Sequence, residues 1–137
     1  MRVVIDTNVL VSGVINPHGA PGRVIDALLA EAMIGLHDDR ILDEYREVLR
    51  RPIFGFRSSD IDALLDFIDL AGEHVSTRDL GTVLPDSSDL PFLEVAAAGR
   101  ADALITGNLR HFKPRRGHHS VYVCTPAEFV KQLGLRP

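Results

Sequence analysis

Four carboxylates and one amide occupy positions from which a chain could build a reaction site. Asp6 closes the apolar run VVI at residues 3–5, Glu44 sits within DEYREVL, Asp86 and Asp89 fall in LPDSSDLPF, and Asn108 follows ALITG. An unpaired carboxylate is costly to bury, so one that ends a buried strand needs a cation, a helix terminus or hydrogen-bond donors. By itself Asp6 also reads as a cap for the following turn, or as a carboxylate held by backbone donors. Four carboxylates from three separated segments point further, to a bound ion. Oxygen ligands without cysteine suit hard cations, Mg²⁺ or Mn²⁺. Two such ions about 4 Å apart stabilise the attacking and leaving oxygens of a phosphodiester, and one ion activates a water and neutralises phosphate charge. Without metal the same carboxylates repel one another.

Each acid has a plainer reading beside this one. At 100° per residue Glu44 falls on the border of the stripe Ile41, Leu42, Tyr45, Val48, Leu49, with Asp43 and Glu47 on the opposite, solvated face. Its plainer role is a surface ion pair with a nearby arginine. Asp86 and Asp89 have the composition of helix caps. Asp89 directly precedes a helical run and is the stronger candidate for the crevice. Competing chemistries lack support. The six histidines show no HExxH spacing, and His118 and His119 stand in a polar loop. Ser12, Ser87 and Ser88 have no GxSxG setting, and no Walker or GxGxxG sequence occurs. The one cysteine, Cys124, lies in the apolar VYVC and reads as a buried thiol; it excludes an internal disulfide or a cysteine metal cluster.

Strands must alternate with helices to bring these groups together. VVI at 3–5 is a short continuous apolar run, as in a strand buried on both faces. Asn16 to Gly22 is loop chemistry, and Val24, Ile25, Leu28, Leu29 and Ala32 recur at helical spacing toward Gly35. MIGLH at 33–37 holds a second short strand. Asp38 or Asp39 caps the helix carrying Glu44, which Pro52 stops. A further helix presents Ile61, Leu64, Leu65 and Ile68, with Gly72 past its end and EHVST at 73–77 as a strand. A helix begins between Ser88 and Pro91 and runs to about Gly99. ALIT at 103–106 and VYVC at 121–124 are strands, and Thr125 caps a last helix opening at Pro126. This alternation implies a parallel sheet covered on both sides, with ligands outside the carboxyl ends of its strands. Asp6 and Asn108 fall at that edge. The 137 residues, 45% hydrophobic and 25% charged, suit one domain over 1–137 with a real core. A net charge of −4 argues against bulk electrostatic capture of nucleic acid. No signal-peptide core or membrane-length apolar run is present, so a reduced cytoplasm is the expected setting.

With these segments in place, VIDTNVLVSG, ILDEYREVL and DSSDLPFLEVAAAGRADALITGNLRHF together resemble the PIN domain family. They are most similar to its branch of toxin components of bacterial toxin–antitoxin systems. The resemblance covers essentially the whole chain. It implies a three-layer α/β/α domain around a parallel sheet and a Mg²⁺- or Mn²⁺-dependent endoribonuclease. Asp6, Glu44 and Asp89 match the family's first three acids, Asp86 a further acid of this branch, Asn8 the residue supporting Asp6, and Thr106 a hydroxyl beside the site. The resemblance also implies a cognate antitoxin, and homodimerisation fits it. The chain departs from the wider pattern at Asn108, where many members carry Asp. An amide ligates through its carbonyl oxygen but brings no charge, so a second cation is held more weakly.

RHFKPRRGHH at 110–119 carries three Arg, one Lys, three His and no acid. Arg110, Lys113, Arg115 and Arg116 are therefore expected to grip the phosphates of an RNA substrate that the acids repel. Phe112 is expected in the core rather than stacked on a base. Two rival readings are an RNA- or protein-binding module of the same fold with an idle site, favoured by Asn108, and a phosphotransferase using Asp6 as nucleophile. The latter calls for a second Asp two residues on, where Asn8 stands.

Overall fold

The computed structural model describes residues 1–81, 83–112 and 121–133. Lys113, Arg115 and Arg116 lie outside the described residues, so of the four basic candidates only Arg110 is placed.

Five parallel strands form the sheet: β1 (Arg2–Ile5), β2 (Ile34–His37), β3 (Glu73–His74), β4 (Ala103–Ile105) and β5 (Val123–Cys124). Their spatial order is β3-β2-β1-β4-β5. Val3, Val4 and Ile5 are consecutive yet all buried, which requires cover on both faces of the sheet and explains why β1 is continuously apolar. The helices are α1 (Thr7–Ile15), α2 (Ala20–Leu29), α3 (Asp39–Leu49), α4 (Ser58–Ala71), α5 (Leu90–Ala98) and α6 (Pro126–Leu133). Helix α5 packs on β1, β2 and β4; α2 packs on α1 and α6, and α3 on α4 and α5. The result is a three-layer α/β/α fold, as the resemblance implies. Among the described residues no helix is long and apolar enough to cross a membrane.

Three local features set up the site. First, α1 starts directly after Asp6, where the sequence gives no helix signal: Val9, Val11, Val14 and Ile15 are β-branched and Gly13 interrupts them. Burial of Thr7, Val9, Leu10 and Gly13 overrides that propensity. Second, α2 ends at Leu29 rather than running to Gly35. Glu31 takes a left-handed conformation (φ 56°), and the chain turns into β2, where a Cβ on Gly35 would lie 3.1 Å from Leu28 Cδ1. Third, Asp38 caps α3 by accepting from the Ile41 N–H at 3.0 Å, while Thr125 and Glu128 form a reciprocal cap at the start of α6.

Candidate metal centre

The order β3-β2-β1-β4-β5 reverses direction between β1 and β4. A crevice opens outside the carboxyl ends of strands at such a reversal. Asp6 follows β1 there and Thr106 follows β4. The Asp6 N–H donates to the Ile105 carbonyl at 2.9 Å, extending the ladder one residue past both strands. Asp6 is thereby fixed at the mouth, and it is 4% exposed.

Asp6 stands at the N-cap position of α1, but its side chain makes no capping hydrogen bond to the helix. It accepts instead from the Thr106 hydroxyl at 2.8 Å and, more weakly, from the Asn8 amide at 3.4 Å. The Asn8 carbonyl accepts from Gly107 N–H at 2.9 Å, so Asn8 bridges the two loops. A Cβ at residue 107 would meet Asn8 Oδ1 at 3.2 Å, tighter than the bridge tolerates without shifting. Burial pushes the Asp6 pKa up, and the Thr106 hydroxyl opposes that shift.

Glu44 is half-buried on α3, as its place beside the apolar stripe predicts, and it accepts from the Thr7 hydroxyl. Its pKa is raised, first by burial and then by the charges of Asp6 and Asp86. Asp43 and Glu47 point to solvent and pair with Arg46 and Arg51. Tyr45, next in the chain, is buried and donates to the Ile5 carbonyl, which locks α3 against the end of β1.

The pair in LPDSSDLPF divides its roles. Asp86 is exposed and caps a 3-10 turn, Ser87–Asp89, accepting from the Ser88 N–H at 2.9 Å and the Ser88 hydroxyl at 2.7 Å. Those donors lower its pKa. Asp89 caps nothing, is buried, and leaves Oδ2 without a hydrogen bond. Burial and the nearby Asp6 charge push its pKa up to about 7.

Asn108 donates its backbone N–H to the Thr106 hydroxyl at 3.0 Å. Its side-chain amide lies 2.9 Å from His111 Nε2, and His111 Nδ1 lies 2.8 Å from Asp89 Oδ2. Sequence reasoning counted His111 only within the basic segment. The signal that finds it is spacing: Leu109–Phe112 is a 3-10 turn, in which residues three apart eclipse, and His111 is three on from Asn108. Phe112 is fully buried, as expected, and Arg110 is exposed on the same turn.

Asp6, Thr7, Asn8, Glu44, Asp89 and His111 line one cavity of about 360 Å³, together with the apolar Val11, Val48 and Phe54. One oxygen each from Asp86 and Asp89 and one His111 nitrogen lie within 4.8 Å of one another. Among the described residues no lysine or arginine pairs with Asp6, Glu44, Asp86 or Asp89. The nearby Asp38 and Glu94 are neutralised differently, both by Arg40 at 2.7 Å. Buried carboxylates with raised pKa values, an Oδ2 without a hydrogen bond and no lysine or arginine partner among the described residues fit a divalent cation.

The fold and this acidic crevice define a parallel α/β/α protein with convergent carboxylates at its switch point. A PIN domain family model matches residues 2–110, and the chain belongs to that family. The uncharacterized protein MJ1680 of Methanocaldococcus jannaschii is 28% identical over 146 residues, covering 97% of this chain and 92% of that protein. VapBC2 from Rickettsia felis, solved bound to a DNA fragment from their promoter, is similar in fold, with a TM-score of 0.54 at 19% identity over 91% of this chain and 98% of the other.

Proposed function

We propose that the protein is a metal-dependent endoribonuclease, the toxin of a toxin–antitoxin pair, with Asp6, Glu44 and Asp89 as its catalytic carboxylates. The observation that carries this reading is their meeting in one cavity without a lysine or arginine partner among the described residues. Asp86 and Asn108 complete the candidate ligand set. Mg²⁺ or Mn²⁺, when bound, activates a water and neutralises phosphate charge. This chain's residues do the rest. Thr106 and Asn8 hold the Asp6 carboxylate to one orientation, and Thr7 does the same for Glu44. A carboxylate of the set takes the proton of the attacking water. Arg110, with Lys113, Arg115 and Arg116, supplies charge for the RNA backbone. The partner reading rests on the resemblance to the toxin branch and on the shared fold with VapBC2.

The test is hydrolysis of a single-stranded RNA panel with Mn²⁺, with Mg²⁺ and with chelator. Metal-dependent cleavage that disappears in Asp6→Asn, with the circular dichroism spectrum unchanged, is the expected result. Cleavage by Asp6→Asn at the wild-type rate overturns it. Tight RNA binding without turnover in either metal selects the binding-module reading.

A further inference from the structure

His111 occupies a place that the carboxylates alone do not explain. Its Nδ1 is 2.8 Å from Asp89 Oδ2, yet that buried oxygen accepts no hydrogen bond, so the two atoms are close without being aligned as donor and acceptor. Neighbouring ligands of an octahedral ion with bonds of about 2.0–2.1 Å stand about 2.8–3.0 Å apart. The Nδ1–Oδ2 separation therefore suits two atoms sharing one ion. An Asp86 oxygen, an Asp89 oxygen and a His111 ring nitrogen lie within 4.8 Å of one another.

The far side of the ring supports this role. His111 Nε2 faces the Asn108 side-chain nitrogen, Nδ2, at 2.9 Å. The two ends of an amide exchange by a half-turn, so Asn108 can present its oxygen there. Asn108 then accepts a hydrogen bond from Nε2–H, which leaves the Nδ1 lone pair toward Asp89 and Asp86. Such outer partners fix the tautomer of metal-bound imidazoles.

We propose that His111 is a nitrogen ligand of the metal centre, oriented by Asn108, and that it biases the site toward Mn²⁺ over Mg²⁺. Imidazole ligates first-row transition ions, of which Mn²⁺ is the weakest binder, whereas Mg²⁺ takes oxygen ligands almost alone. This inference rests on the carboxylates binding a cation, the first half of the proposed function, and not on RNA cleavage.

The experiment uses the metal-stripped full chain without RNA. Pulsed electron paramagnetic resonance of the Mn²⁺-loaded wild type reads nitrogen coupling directly, and titration calorimetry reads affinity for each ion. Histidine nitrogen coupling is expected in the wild type. His111→Gln is expected to lose that coupling and more than tenfold in Mn²⁺ affinity, with less than a threefold change for Mg²⁺. Asn108→Asp, which also accepts from Nε2–H, is expected to keep the coupling. Mn²⁺ bound without nitrogen coupling overturns the ligand assignment and leaves the carboxylate site standing. Failure of the wild type to bind either ion overturns both. The wild-type spectrum decides even where a variant does not fold.

Discussion

The Thr106 hydroxyl donates a 2.8 Å hydrogen bond to Asp6 Oδ2, tying together two residues 100 positions apart at the ends of neighbouring strands. Both side chains are buried, so water does not replace the bond when it is lost. Thr106→Val is expected to cost about 1–3 kcal/mol in denaturant unfolding and about 10-fold or more in Mn²⁺ affinity by calorimetry. Thr106→Ser keeps the donor and is expected to restore most of both. Equal losses in Val and Ser would assign the effect to packing of the methyl group.

The raised pKa values of Asp6, Glu44 and Asp89 predict an unusual stability profile. A carboxyl whose folded pKa exceeds its unfolded value binds more protons in the folded state, so stability falls as pH rises between the two values. For Asp89 that window runs from the ordinary carboxylate value of 3.8 to about 7. The metal-free protein is expected to melt several degrees lower at pH 7.5 than at pH 5.5. Saturating Mn²⁺ is expected to flatten the difference, since it binds the ionised form. A melting temperature that rises with pH in the absence of metal contradicts the crowding of charge at this site.

Arg40 neutralises two buried acids, Asp38 and Glu94, and also donates to the Thr77 hydroxyl at 3.1 Å. Arg40→Met leaves those acids without their cation. Destabilisation of about 2–3 kcal/mol is expected, below the cost of breaking a wholly buried pair because Arg40 is 46% exposed. Pairing it with Glu94→Gln is expected to recover part of the loss, as a double-mutant cycle would show.

Reversing charge at Arg110, Arg115 and Arg116 together is expected to weaken RNA affinity at low salt. It should also flatten the salt dependence by roughly 0.7 per phosphate contact removed. An unchanged slope in fluorescence anisotropy places the RNA backbone elsewhere.

Much of the candidate site is legible in the sequence. Asp6 shows itself because a carboxylate ends a run buried on both faces, and Glu44 because it borders the apolar stripe of α3 while Asp43 and Glu47 oppose it. Asp89 is favoured over Asp86 by its place directly before a helical run, but that Asp86 caps a turn while Asp89 faces His111 is visible only in the tertiary structure. Helix α1 is hidden because its β-branched residues favour strand, and only packing makes it helical. His111 is hidden for another reason. Its charge class placed it among phosphate-binding residues, whereas the 3-10 turn swings it back over Asn108.

The central place of β1 has a consequence for synthesis. Its second neighbour, β4, begins only at Ala103, so a growing polypeptide must add 100 residues after Asp6 before Thr106 can stand beside it. A product released before that strand emerges lacks both Thr106 and His111, and with them the hydroxyl donor of Asp6 and the imidazole beside Asp89. Assembly of the acidic crevice is thus a late event, timed by the order in which the strands leave the exit tunnel.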